Sequence, residues 1–274
     1  MNFKYGVMQG RLSRQIGNKI QAFPEKYWKS EFSKAKKLGL NCIEWTLDYK
    51  NLQKNPIFKK KGKLEIKRLS KKYSVFIKSL TGDCFMQKPF WKLNKNTNLL
   101  EDFKKIIEAA NDIGIKIIVI PLVDNGSLSK KVEVQNLFRI CKNFKKYLKK
   151  TKLKIVFESD FNPKKLQKFI KKFDKKYFGI NYDVGNSAAL NYDVDEEFNL
   201  YGNRIYNIHI KDRIKFGKSV RLGEGNANFS KLFKNLKRIK YNKNIILQTA
   251  RSKQKQHMKE ININLNFLKK FHYA

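Results

Sequence analysis

Four short apolar runs in the second half of the chain each stop on a polar side chain, and this repeat constrains the fold more than any other feature. The runs are KIVFESD with Glu158, FGINYDVGN with Asp183, RIYNIHIKD with His209 and NIILQTAR with Gln248. β-Branched, apolar stretches of this length read as parallel strands buried on both faces. Each spacing between them leaves room for a helix. In a closed βα barrel, the C-terminal ends of such strands converge on one rim, where active sites are built. Two carboxylates, an imidazole and an amide oxygen would then face a common centre. That donor set suits a divalent cation, Mn²⁺ first, with room left for substrate or water.

The first half of the chain repeats the alternation. Strands are expected at Phe3–Gln9, Cys42–Leu47, Val75–Leu80 and Ile115–Pro121. A helix is expected to open at Pro24 with Trp28, Phe32, Ala35 and Leu38 on one face and to close at Gly39, the usual punctuation of proline at the start and glycine past the end. Further helices are expected over 64–73 and 99–113, along the stripe Leu137, Ile140, Cys141, Phe144, Leu148, and near 163–173, 195–201, 229–238 and 256–270. Eight strands alternating with eight helices predict α/β architecture, a single (β/α)₈ TIM barrel over residues 1–274. The length of 274 residues agrees, since about 250 is typical of that barrel. One doubly wound sheet is the alternative, and it lacks a glycine-rich phosphate fingerprint after the first strand. The stretch from Asp83 to Asn98, with Pro89, Phe90 and Trp91, reads as a long loop over the strand-three rim. It is either a lid or a surface loop packed by its own aromatics.

Net charge is +38, which invites a nucleic-acid reading. Only nine of the 61 basic residues are arginine, however, so 52 are lysine. Dedicated phosphate readers lean on arginine forks, so the lysines are read as solvated helix faces and no specific nucleic-acid partner is expected. No apolar run approaches the about 20 residues that span a bilayer, and the N-terminal residues carry no secretory pattern. Cys42, Cys84 and Cys141 are odd in number and follow no zinc spacing, which fits a reducing cytoplasm. Oligomeric state is not legible.

With these residues placed, the chain resembles the xylose isomerase-like TIM barrels, a group of sugar-phosphate isomerases and epimerases that also includes endonuclease IV. GVMQGRL, NYDVGN, HIKDR with LGEGN, and LQTAR carry the resemblance, which spans essentially the whole chain. It implies one divalent metal, Mn²⁺ or else Mg²⁺, Co²⁺ or Zn²⁺, held by Glu158, Asp183, His209 and, by position, Gln248. It also implies two glutamates exchanging a proton beside the carbonyl of a sugar or sugar phosphate. Glu158 is one of them and serves as general base. The other position is Gln248, which can ligate but cannot accept a proton. Asn186 stands where the family often has a histidine, and hydrogen-bonds without titrating. Endonuclease IV needs several histidines for three zinc ions. This chain has His209, His257 and His272 alone, so a nuclease is disfavoured.

Further rim residues are expected to bind substrate. Arg213 and Arg251 are candidates for a phosphate or carboxylate, or else surface ion pairs, with Lys211 and Asp212 beside them. Arg11 and Glu44 are expected at the rims of strands one and two. Glu224 is a possible stand-in acid/base or a turn carboxylate. Taken alone, Asp183 also reads as a loop cap and His209 as a satisfied core residue. The functional expectation is a metal-dependent isomerase or epimerase working through an enediolate. A dehydratase or lyase in the same site and a non-catalytic carbohydrate-binding barrel are the alternatives.

Overall fold

The structure is a computed structural model and describes residues 3–92, 99–252 and 255–271. Eight strands close into a parallel barrel. They are β1 (Lys4–Met8), β2 (Cys42–Thr46), β3 (Phe76–Thr81), β4 (Ile117–Leu122), β5 (Lys154–Ser159), β6 (Phe178–Asp183), β7 (Ile205–Ile210) and β8 (Asn244–Leu247). β1 pairs with both β2 and β8, which closes the ring, and helices follow the strands. The expected (β/α)₈ barrel is therefore present, with strand ends within two residues of those read from the sequence.

Local chemistry accounts for the helices. Phe229–Arg238 buries Phe229, Leu232, Phe233 and Leu236 on one stripe, and Asn228 caps it by accepting from the Lys231 amide. Pro163–Lys171 starts with proline after Asn162, whose side chain accepts from the Lys165 amide. Such caps satisfy amides that the first helical turn leaves without partners. The helix expected from Pro24 begins instead at Trp28. Residues 24–27 form a turn, with the Pro24 carbonyl accepting from the amides of Tyr27 and Trp28.

Two short helices, Asp83–Gln87 and Val184–Ala189, and a hairpin pairing Asp212–Arg213 with Ser219–Val220 have no counterpart in the sequence reading. The described part of the segment after β3 is packed by its own aromatics. Phe85, Phe90 and Trp91 are buried, with ring centroids 5.7 and 5.0 Å apart along the series. The Trp91 indole donates to the Gly126 carbonyl at 3.1 Å. Residues 93–98 of that segment lie outside the described residues. Among the described residues, no helix is long and apolar enough to cross a membrane.

The inside of the barrel is divided. Met8, Cys42 and Ile246 form a small apolar cluster apart from the main core. Gly6 faces it, where a Cβ would meet the Cys42 sulfur at 2.3 Å. Most of the other interior positions are polar and buried, Glu44, Ser79, Thr81, Asn181, Asn207 and His209, with Val119 and Val156 as apolar neighbours. A barrel interior is ordinarily filled by branched apolar side chains. A polar filling must be hydrogen-bonded throughout, because each unpaired group costs about 1–3 kcal/mol.

Candidate metal and substrate site

Glu158, Asp183 and His209 end three adjacent strands, β5, β6 and β7, and all three are buried. Each offers one ligand atom, and these atoms lie within 4.8 Å of one another. β6 and β7 pair Asp183 with His209 directly. The His209 Nδ1 lies 3.1 Å from Glu158 Oε2, and its Nε2 lies 2.6 Å from Glu44 Oε1. Asn181 donates to Glu158 Oε2 at 2.8 Å, and Asn207 donates to both Asn181 Oδ1 and Glu44 Oε2 at 2.8 Å.

Glu44 has a different place from the one expected. It lies mid-strand in β2 with no exposed surface, and it accepts from Ser79, Thr81 and Asn207 as well as facing His209. Its carboxylate has no vacancy for substrate. It orients the imidazole from behind and leaves Nδ1 turned toward Glu158. A carboxylate behind a histidine fixes its tautomer and ring orientation, as partners of metal-ligating histidines do.

The electrostatics follow. Burial alone would lower the His209 pKa, but Glu44 and Glu158 overcome it and raise it to about 10. Burial works to raise both glutamates, and His209 more than reverses this, so both stay below the usual carboxylate range. Asp183 goes the other way, because burial and the charge of Glu158 outweigh the attraction of Lys211. This is a pocket of competing carboxylates that gathers positive charge.

At the rim, Asp183 does two jobs. Its Oδ1 caps the helix Val184–Ala189 through the Asn186 amide at 2.8 Å, and its Oδ2 lies 2.8 Å from Lys211 Nζ. Asn186 donates to Glu158 Oε1 at 2.8 Å and accepts from Arg213 at 2.9 Å. The loop cap uses Asp183 Oδ1, and Oδ2 is the oxygen that faces Lys211.

Other expected substrate contacts are spent elsewhere. Asp212 is fully buried and accepts from the amides of Gly223, Gly225 and Ala227 at 2.9–3.0 Å. It holds the LGEGN loop in shape and has no oxygen left for a ligand. Glu224 is exposed and sits 3.7 Å from Arg221, which fits a turn carboxylate and not a stand-in acid. Arg251 donates to the carbonyls of Ile20 and Ser13, and Arg11 to those of Thr249 and Ile20. Both arginines strap the first rim loop onto the end of β8. Burial and its neighbour Arg251 lower the Arg11 pKa to about 9.

Gln248 continues the β8 ladder, its amide donating to the Ile210 carbonyl. It lies one pleat beyond Ile246, the register partner of His209, and therefore on the same inward side. Its Oε1 is buried without a hydrogen-bond partner, and the same is true of Gln9 Nε2, Asp83 Oδ2 and Thr249 Oγ1. These four belong to the C-terminal ends of β8, β1, β3 and β8. Buried polar atoms in native proteins are nearly always paired, so a cluster of orphans on one rim marks where a polar ligand completes the structure.

The sequence marks Asp83 only as the start of the long stretch after strand three and not as a site residue. It follows β3 directly, is 6% exposed, and burial with the charges of Asp48 and Glu158 raises its pKa to about 8. Only its position after a strand run pointed to it, and the aromatic segment that follows obscured that signal.

A sequence profile of the xylose isomerase-like TIM barrels matches residues 32–271. An uncharacterized protein of Methanocaldococcus jannaschii is 29% identical over 102 residues, covering 36% of this chain and 35% of that relative. The chain thus matches about a third of the length of that relative. Among solved structures, the 3-keto-D-glucoside 4-epimerase YcjR from E. coli superposes with a TM-score of 0.73 at 16% identity, over 98% of this chain and 100% of that one. D-Psicose 3-epimerase from Clostridium cellulolyticum H10, crystallised with D-tagatose, gives 0.75 at 12% identity, over 98% and 99%. The IOLI protein with a bound zinc atom gives 0.76 at 14% identity, over 99% and 100%. At these identities the likeness establishes the fold.

Proposed function

The chain belongs to the xylose isomerase-like TIM barrel family, and we propose that it is a divalent-metal-dependent isomerase or epimerase of a sugar or sugar phosphate. The observation that carries this reading is the convergence of Glu158, Asp183 and His209 within 4.8 Å, with His209 braced by Glu44. Two carboxylates and one imidazole are a donor set that Mn²⁺, Mg²⁺, Co²⁺ and Zn²⁺ all accept. The unpartnered Oε1 of Gln248 supplies a neutral fourth oxygen on the same inward side. When bound, the cation polarises a substrate carbonyl and offsets negative charge on its oxygen.

The rest of the chemistry belongs to the chain. Glu158 is held ionised by His209, and its Oε atoms are the acceptor for a proton on the carbon beside the carbonyl. Gln248 cannot take the complementary role. Asp83 can: its Oδ2 is buried and unpartnered, and a pKa of about 8 keeps it protonated at neutral pH as a donor. Asn186, Arg213 and Lys211 form a linked polar edge beside Glu158 that suits sugar hydroxyls or a phosphate. Gln9 and Thr249 provide further unpaired groups for hydroxyls.

The test is solvent deuterium exchange at the α-carbon of candidate ketoses and ketose phosphates in metal-loaded protein. The expected result is exchange that disappears in Glu158→Gln. Exchange that persists unchanged in that variant would assign the base to another residue. A purified, metal-loaded chain that binds sugars without exchanging any proton would favour the carbohydrate-binding alternative.

A further inference from the structure

At the opposite end of the barrel, the strand starts line an open cavity of about 470 Å³. Its wall carries Lys4, Lys78, Lys116, Lys152, Lys154 and Lys243, and no carboxylate among the described residues lines it. Lysines make up half of the twelve lining residues, against 52 of 274 in the chain, so composition alone does not explain the concentration. Among the described residues, none of the six forms an ion pair with an acidic side chain. Lysines elsewhere in the molecule do find acids, as Lys63, Lys145 and Lys231 show.

The mouth is built around one aromatic ring. The register of β6 and β7 shifts between Ile180 and Asn181, and Gly179 leaves room for Tyr206, whose ring a Cβ there would meet at 2.0 Å. Lys154 and Lys243 sit over that ring, 4.4 and 4.9 Å from its centroid. Burial and the neighbouring charges of Lys243 and Arg204 lower the Lys154 pKa, and burial lowers that of Lys243. On the floor, the Ser79 hydroxyl and the Asn207 amide are already spent on Glu44. Glu44 in turn faces His209, so its charge does not neutralise the mouth.

Gathering six ammonium groups around one concavity costs free energy, and a bound polyanion recovers it. We propose that the N-terminal mouth of the barrel is a binding site for a small oligophosphate anion, held by this lysine ring. The ligand must carry several adjacent charges, because the donors are mainly point charges spread over five strand starts, and one of them, Lys154, also donates to the carbonyls of Lys175 and Lys176. It must also be compact. A cavity of about 470 Å³ has room for three linked phosphates. Inorganic tripolyphosphate and the triphosphate of a nucleotide share this chemistry. The two should bind alike, because both ring-facing lysines already occupy the Tyr206 ring, the aromatic surface among the described lining residues.

Calorimetric titration of the full chain at low salt with tripolyphosphate, ATP and inorganic phosphate tests the proposal. Tripolyphosphate and ATP are expected to agree within about threefold and inorganic phosphate to bind at least about tenfold more weakly. Lys154→Ala with Lys243→Ala should weaken tripolyphosphate by about tenfold or more, since two of the six cationic partners are lost. Lys60→Ala with Lys61→Ala, on an exposed helix start, should leave it unchanged. Equal losses in the two pairs, or ATP far tighter than tripolyphosphate, would overturn the site. Amine labelling of the unsubstituted chain, read by mass spectrometry, gives a second measurement. Tripolyphosphate should protect the six mouth lysines selectively, and uniform protection of all lysines would contradict the proposal.

Discussion

The two mouths of this barrel are made from the same strands and handle charge in opposite ways. At the C-terminal rim, Glu158, Asp183, His209 and Lys211 interlock at 2.8–3.1 Å, each charge facing an opposite one. At the N-terminal mouth, six lysines share a cavity with no acid among its lining residues. The first arrangement fixes direction, because hydrogen bonds and ligand geometry decide what fits. The second fixes charge density only, because ammonium groups on flexible stems are not directional. The rim therefore has the properties of a site for chemistry, and the opposite mouth those of an anion holder. Asn207 and Ser79 touch both, through Glu44.

The largest expected effect separates the two ends. Glu158→Gln should cut turnover by roughly 10²–10⁴-fold, the loss typical of a missing general base, while tripolyphosphate affinity at the other end stays constant. A parallel fall in that affinity would show that the mouths are not independent.

Asp83→Asn comes next and acts on one end in two directions. Turnover should fall by about 10²-fold if Asp83 moves a proton. Stability of the metal-free protein should rise, with a defined pH dependence. The folded pKa of Asp83 is raised to about 8, above the roughly 3.9 of an unfolded aspartate. The native state therefore holds this proton more tightly, and wild-type stability is lost as pH rises from about 4 to about 8. The advantage of the asparagine variant should accordingly be absent at pH 4 and reach a few kcal/mol at pH 9 in denaturant unfolding. A variant that loses stability at pH 9 would assign Asp83 a structural role.

Salt should sharpen the contrast at smaller scale. Between 50 and 200 mM, oligophosphate affinity at the lysine mouth should drop by about tenfold or more. The KM for an uncharged sugar at the rim should move by less than about twofold, because a neutral ligand has no counterion to exchange. A salt-insensitive mouth would mean that its recognition is not electrostatic.

Gln248→Glu is the mildest. It should retain metal and lower turnover several-fold, since a third carboxylate opposes negative charge building on the substrate. A gain in epimerisation would mean that Gln248 replaced an acid/base and that Asp83 is not its substitute.

Much of this is legible in the sequence alone. The strand ends were readable because β-branched runs stop abruptly at Glu158, Asp183 and His209, and the helices because their apolar residues recur every third or fourth position. Other features depend on contacts that a linear reading does not contain. Asp212 looks like a neighbour of the ligand His209, yet it is claimed by amides of Gly223, Gly225 and Ala227 from a loop that folds back. Glu44 is one residue in an apolar strand, and its role comes from His209, far away in sequence, at 2.6 Å. The lysine mouth was hidden most completely. Its members are scattered over five strand starts among dozens of similar residues, and only barrel closure brings them together.

The proposed chemistry needs one cation at the rim, and anomalous diffraction from crystals soaked in Mn²⁺ tests for it most directly. The expected map has a single strong peak at the C-terminal end of the barrel, bonded to Glu158, Asp183 and His209 Nδ1, with Gln248 Oε1 as the neutral ligand. Lys211 should move away from Asp183 to admit it. A map with no peak between those side chains at saturating Mn²⁺, or with the metal elsewhere in the barrel, would contradict the proposed chemistry.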